Sequence, residues 1–420
     1  LSKRAVQEPL YGQHVAERFG FYGDVPAGKG YVWVHAVSLG ETRAAAILLP
    51  ALRQAWPGMR LLLTHGTATG RFQGGTLLLP GDVQVWLPWD TPEATRRFFC
   101  HFQPQVGLLM ETEVWPQLVC ASRQAGIPVC LVNARMSEKS YRQARQWSWL
   151  SKPAYGGLQL VLAQSEADAA RLRDLGCRDV RVSGNLKFDA QVPRQAHELA
   201  GRWQPAMENR LVVMLASTRE GEEAMWLQAL KDDPVRWQCL KALGVLWLLV
   251  PRHPQRFDEV HAMLQSEGLR CVRRSAWGEK PPQPDNLAQV DVVFGDSLGE
   301  MAAYYLVSHI ALLGGSFAPL GGQNLIEAAA CACPVVMGPH TFNFAEAAAL
   351  AVKLGAAVQV QDMHAALDVV YRSLVAPGRL DHAQLAAQEM LRQGQGAVAH
   401  HVQQLSQIVS IAEEKETHDR

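Results

Sequence analysis

The chain has 420 residues, 48% of them hydrophobic and 19% charged, with a formal net charge of zero. That length exceeds one ordinary core, so two domains are expected, and the balanced charge gives no support to a general nucleic-acid binder. No apolar run reaches the roughly 18 residues needed to cross a bilayer, and the eight cysteines form no CxxC pair and no Cys/His spacing suited to zinc. Cys331 and Cys333 bracket one alanine in an apolar stretch and read as core filling, which points to reduced, cytosol-facing chemistry. The chain opens Leu1-Ser2-Lys3-Arg4 rather than on methionine, and a segment removed upstream is the expectation.

The first strong strand signal is "YVWVHAVSLGETRAA", Tyr31 to Ala45, where an apolar run ends in a small-residue turn and Glu41 follows a glycine at once. Two readings are open. A carboxylate in a first helical turn meets the positive end of the helix dipole; the same group can serve as a base beside a bound substrate. Further runs follow in order: "RLLLTHGTATG", "VQVWLPWD", "QVGLLMETEVWP", "IPVCLVNARMS" and "LQLVLAQS". Alternating with helical stretches, they predict a parallel sheet covered on both faces. Functional residues then belong at the carboxyl ends of the strands, where "SLGE", "HGTATG", "METE" and "NARMSEKS" all fall.

Between Asn133 and Pro153 lie five Lys/Arg and one acid. Arg135, Lys139 and Arg142 fall at i, i+4 and i+7, one helical face, beside Trp147 and Trp149. A solvated face over core tryptophans and a surface for anionic membrane headgroups are both open. After "VRVSGNLKFDA", residues 191–209 are polar, carry two prolines and read as a linker with a short helix.

The α/β pattern then restarts with "RLVVMLASTREGEE", "GVLWLLVPRHPQRF", "LRCVRR", "DVVFGDSLGEM", "HIALLGGSF" and "CPVVMGP", and ends in a helical segment. Two such domains on a linker predict a cleft between them. In "VPRHP", Arg252 after Pro251 offers a planar fork for phosphate or carboxylate, with a structural ion pair as the other possibility. The turn "GDSLGE" can frame a base or ribose through its backbone. In "LLGGSFAPLGGQNLIEAAACACPVVMGP", a glycine-rich loop leads into a helix near Asn324 with Glu327 one turn in. Free N–H groups there favour an anion and the glutamate suits a ribose diol, so a nucleotide-type ligand competes with plain turn chemistry. Neither domain carries a G-x-G-x-x-G dinucleotide fingerprint or a P-loop. There is also no D-x-D for a metal diphosphate, so chemistry without a metal is expected.

"HAVSLGE", "METEVWP", "NARMSEKS", "GNLKFD", "LASTREGEE", "VPRHPQRF", "GDSLGEM" and "GGQNLIEAAACACPVVMGPHTFNF", in this order, resemble the bacterial 3-deoxy-D-manno-octulosonic acid (Kdo) transferases. The similarity runs from "ERFGFYG" to the C-terminal helix. It implies an α/β GT-B fold: two Rossmann-like, doubly wound domains facing across a cleft. Residues 1–190 would be the acceptor-binding domain, 191–209 the linker and 210–380 the donor-binding domain, with 381–420 packing back toward the first. The implied reaction is transfer of Kdo from CMP-Kdo to the lipid A precursor, inverting and without metal or cofactor, at the cytoplasmic face of the inner membrane. The family's hydrophobic anchor ahead of "ERFG" is not in this sequence. By resemblance Glu41 is the general base, and Glu111 and Lys187 assist the transition state. CMP falls on Pro251, Arg252, Leu298, Gly299, Glu300, Asn324, Leu325, Ile326 and Glu327. The family's glycine-loop contacts are not carried over to "FAPLGG". A UDP-sugar enzyme of the same fold and a non-catalytic lipid- or nucleotide-binding protein are the alternatives.

Overall fold

The computed structural model describes residues 8–207, 209–278 and 287–418. Leu1 to Arg4, behind the expectation of a lost upstream segment, lie outside them. The chain divides into two compact units, Leu1–Asp189 with Gly394–Arg420, and Ala190–Gln393.

The first unit is built on seven parallel strands: β1 (Tyr31–His35), β2 (Arg60–His65), β3 (Val83–Trp86), β4 (Val106–Met110), β5 (Val129–Ala134), β6 (Leu160–Ala163) and β7 (Val180–Val182), in the order β3-β2-β1-β4-β5-β6-β7. All five residues of β1 are buried because both of its faces are covered. Alternate side chains serve opposite cores, as the two-residue period of a strand requires. Trp33 packs edge-on against Phe98 and Phe99. Val32 and Val34 join the opposite core with Leu48, Leu49 and Leu52 of helix Leu39–Ala55. Gly107 on β4 makes room for the indole, since a Cβ there would lie 2.5 Å from the Trp33 ring. Leu405, Ile408 and Val409 of the C-terminal helix Ala397–His418 complete this second core.

The second unit repeats the plan with β8 (Leu211–Thr218), β9 (Val245–Pro251), β10 (Cys271–Arg273), β11 (Val292–Phe294), β12 (Ile310–Leu313), β13 (Val335–Met337) and β14 (Ala357–Gln359), ordered β10-β11-β9-β8-β12-β13-β14. Trp247 of β9 meets Trp226 of helix Glu222–Asp232 edge to face, ring centroids 5.1 Å apart. Both sheets reverse direction of growth beside their first strand, at β1/β4 and at β8/β12. Open α/β sheets bind ligands outside the carboxyl ends of the strands at such a reversal.

Two boundaries differ from the sequence expectation. Residues 191–209 contain helix Arg194–Met207, whose buried Ala200, Trp203 and Met207 make it part of the second unit rather than a linker. Trp203 packs on Tyr304 and Trp277. The C-terminal segment is shared: Arg379–Gln393 stays with the second unit, and the chain rejoins the first at Gly394. One strand, β14, had no counterpart among the apolar runs, because it is three residues long with two of them exposed.

Candidate active site

The reversal of the first sheet is where Glu41 stands. Ser38 caps helix Leu39–Ala55 and Glu41, the third helical residue, reaches back to the residue before the cap. The Glu41 N–H donates to Ser38 Oγ (3.4 Å), Ser38 Oγ–H donates to Glu41 Oε1 (3.3 Å), and the Val37 N–H donates to Oε2 (2.6 Å). The capping role and the buried charge coexist in one side chain, which is only 8% exposed. Glu41 is not a lone acid. Burial pushes its carboxyl up, nearby Glu113 adds to this, the Val37 N–H pulls it back and Glu111 raises it again, leaving a pKa of about 7. Glu113 is itself raised, chiefly by burial, while the Trp115 indole N–H that it accepts at 3.0 Å opposes the shift. A carboxylate poised near neutrality at a sheet reversal is suited to take a proton from a hydroxyl.

Glu111 and Lys187 are brought together. Glu111 follows β4 in a left-handed conformation (φ 56°), unusual for a residue with a long side chain. Lys187 Nζ donates to its Oε1 at 3.2 Å, and Asn133 Nδ2 donates to the same oxygen at 3.4 Å. Glu41 follows β1 and Glu111 follows β4, the two strands that flank the reversal, so three candidate groups share one end of one sheet.

In the second unit the donor-site candidates follow β9, β11 and β12 on the corresponding edge. Arg252 is held by its N–H to Thr218 O (2.9 Å), next to Pro251, which pairs with Thr218. Four residues on, Arg256 makes a bidentate ion pair with buried Glu223 at 2.9 and 2.8 Å. Leu298 is 74% exposed and Gly299 has φ 81°. Glu300 accepts from Arg274 (2.8 Å) and from Ser297, so its carboxylate shapes the turn. Asn324 caps helix Leu325–Ala330 by accepting the Ile326 N–H at 3.3 Å. The Leu325 and Ile326 side chains are core. Glu327 is half-buried and helps burial to raise the Tyr305 hydroxyl.

The glycine loop ahead of Asn324 is organised by a residue that the sequence reading passed over. Buried Glu222 accepts N–H groups from Arg219 (2.8 Å), Gly315 (2.7 Å), Phe317 (3.1 Å) and Ala318 (3.2 Å). It therefore ties the turn after β8 to the turn after β12, across the reversal. Gly314 has no alternative there, because a Cβ would lie 2.2 Å from Ser217 O.

The basic face is smaller than the spacing suggested. Ser137 caps helix Glu138–Gln146, so Arg135 precedes the helix, half-buried with its N–H bonded to Glu111 O, and of the three cations only Lys139 and Arg142 lie on it. Arg142 donates to Glu138 at 2.9 Å. Trp147 and Trp149 are 56% and 71% exposed, which removes the core-tryptophan reading. Among the described residues no helix is long and apolar enough to cross a membrane, and no group of three His, Cys, Asp or Glu side chains is arranged to hold a metal ion.

Glu113, Asn133 and Glu222 were missed. Glu113 carried a signal in the i, i+2 carboxylates of "METE"; the others act on residues distant in sequence and carried none. Residues 13–190 match the family model described as 3-deoxy-D-manno-octulosonic-acid transferase (kdotransferase). A 3-deoxy-D-manno-octulosonic acid transferase from Bordetella pertussis is 48% identical over 353 residues, 83% of this chain and 80% of the relative. One from Haemophilus influenzae is 32% identical over 406 residues, 94% and 91% of the two chains. A solved glycosyltransferase from Rickettsia africae superposes with a TM-score of 0.58 at 12% identity, covering 92% of this chain and 99% of that one, which shows the GT-B fold. With two doubly wound parallel sheets and similarity along most of its length, the chain belongs to the 3-deoxy-D-manno-octulosonic acid transferase family and is a glycosyltransferase.

Proposed function

We propose that the protein transfers Kdo from CMP-Kdo to the lipid A precursor with inversion and without a metal, Glu41 acting as general base. The observation that carries this is the buried Glu41 carboxyl, held by the Val37 N–H at the reversal of the first sheet, with Glu111 and Glu113 near enough to raise it. The acceptor hydroxyl attacks the anomeric carbon of Kdo as the bond to the CMP phosphate breaks. The leaving phosphate keeps the electron pair, and the hydroxyl proton passes to Glu41, the role a carboxylate plays in inverting sugar chemistry. Charge develops positively on the sugar and negatively on the phosphate. Arg252 and the backbone N–H groups at Asn324–Glu327 are suited to the phosphate, with Leu298 and Gly299 against the nucleoside and Glu327 toward the ribose. The Glu111–Lys187 pair supplies a fixed charge distribution for the transition state. The exposed Trp147, Trp149, Lys139 and Arg142 suit an inner-membrane surface on the cytoplasmic side, where a lipid acceptor is met.

The test is release of CMP from CMP-Kdo with detergent-dispersed lipid A precursor in EDTA. Release that depends on the acceptor, and is absent with UDP-sugars, is expected. Release only after divalent metal is restored, or only from a UDP-sugar, contradicts the proposal.

A further inference from the structure

We infer that His401 and Asn133 are positioning residues for the reaction: the C-terminal helix, through His401, fixes the turn that holds Asn133 and so sets the Glu111–Lys187 pair. The inference rests on the proposed transition-state role of Glu111 and Lys187.

His401 is fully buried on helix Ala397–His418. Its Nδ1 faces the Ala397 carbonyl at 2.7 Å, and a carbonyl only accepts, so Nδ1 carries the proton. Nε2 is then a bare acceptor, and it lies 3.1 Å from the Asn133 N–H. Burial pushes the imidazole down to about 4, with His400 adding to the shift and the Ala397 carbonyl and Asp189 opposing it, so this neutral tautomer persists through ordinary assay conditions.

The Asn133 N–H needs that partner. The β5–β6 register shifts between Leu131 and Ala134, and Asn133 sits in the irregularity with φ 52°. A buried N–H turned out of its ladder is costly to leave unpaired. Once the backbone is turned, the side chain has two tasks. Asn133 Oδ1 accepts the Leu186 N–H (3.1 Å), and Nδ2 donates to Glu111 Oε1 (3.4 Å), the oxygen that Lys187 also reaches. Asn133 O accepts from Gln164 Nε2 (2.9 Å), Gln164 Oε1 accepts from Asn185, and Asn185 Oδ1 accepts the Lys187 N–H (3.0 Å). Asn133 therefore reaches both members of the pair, one by its side chain and one through its carbonyl.

The helix is pinned close to the same lysine. Asp189, two residues after Lys187, accepts the N–H groups of Gly396 (2.7 Å) and Val398 (2.6 Å). Phe188 lies flat against Gly394, where a Cβ would fall 2.2 Å from its ring. Left-handed, non-glycine residues stand at two neighbouring strand ends, Glu111 and Asn133, and such strain gathers where a site must be held in one geometry.

The test measures kcat and the CMP-Kdo KM of the whole protein in His401→Leu, His401→Gln, Asn133→Asp, Glu111→Gln and the His401→Leu/Glu111→Gln double variant, with folding checked by thermal melts. His401→Leu lowers kcat by about tenfold or more at nearly unchanged KM, since small misplacements of reacting groups cost up to ~10²-fold. His401→Gln, which keeps an acceptor for the Asn133 N–H, restores most of it. The His401→Leu loss disappears when Glu111 is already Gln, as expected for groups acting through one another. A folded His401→Leu protein with normal kcat overturns the inference, as does a loss that Gln does not restore or that persists in full on the Glu111→Gln background. If His401→Leu does not fold, Asn133→Asp decides: a lowered kcat supports the inference and a normal one overturns it. Normal kcat in Glu111→Gln itself removes the underlying role of Glu111, and the inference with it, and is distinguished by that single variant.

Discussion

A carboxylate lifted from its ordinary 4.5 to about 7 has a stability consequence as well as a chemical one. The folded state holds the Glu41 proton over a range where the unfolded chain has released it. That contribution is fully present below about pH 4.5 and is lost as pH rises through 7. At pH 8 the wild type therefore carries an ionised, buried group. Glu41→Gln should stabilise the protein there by about 1–3 kcal/mol, seen as a higher melting temperature, with the gain vanishing near pH 4.5. Lower stability of the variant at pH 8 would mean that the capping hydrogen bonds, and not the buried charge, dominate at this position. The helix-start role of Glu41 was readable from its place just after a small-residue turn. The elevated pKa was not, because its second largest cause is Glu113, contributed by another strand end.

At the scale of elements, the two turns that flank the reversal of the second sheet are held by one carboxylate. Glu222→Gln keeps the shape but replaces one acceptor oxygen by a donor, facing N–H groups of Arg219, Gly315, Phe317 and Ala318. Hydrogen bonds to a charged group are worth ~1.5–3 kcal/mol each, so a loss of about 2–4 kcal/mol is expected. Denaturant unfolding measures it, and a raised CMP-Kdo KM should accompany it; a change below about 0.5 kcal/mol, the level of an ordinary surface substitution, would contradict this role. The strands themselves were legible, because a sheet buried on both faces must be written as unbroken apolar runs such as "GVLWLLV". Glu222 was not: it sits in "STREGEE", which reads as a solvated helix start, and three of its four partners lie more than ninety residues away. Arg135 was misplaced for a local reason. Helical spacing continues backward past Ser137, but the chain does not, since the Arg135 N–H is already committed to Glu111 O.

For the whole molecule, burial also lowers His253, His261 and His309 of the second unit, but the largest downward shifts lie in the first. His35, His65 and His401, all in the first unit, are held down to about 3, 4 and 4, each chiefly by burial. A depressed histidine contributes stability that is present above its ordinary 6.5 and lost as pH falls toward the folded value. Glu41, Asp90 and Glu113, each raised chiefly by burial, act in the opposite sense and offset part of this loss. Hydrogen exchange at pH 7.5 and 4.5, corrected for intrinsic rates, should show β1, β2 and residues 397–409 losing protection before β8 and β9. Earlier loss from β8 and β9 would contradict it. The division into two α/β units was legible from the restart of the strand pattern after residue 209. The return of the chain to the first unit was not, because the helical text from 379 to 418 shows no change of composition at Gly394.

The most direct test of the account is the pH dependence of single-turnover CMP release, wild type against Glu41→Gln. The wild-type rate should fall below a limb near pH 7, where the base takes up its proton, and the variant should be slower by ~10²–10⁴-fold with the limb gone. A variant that keeps the wild-type rate, or that keeps the limb, would show that the proton goes elsewhere.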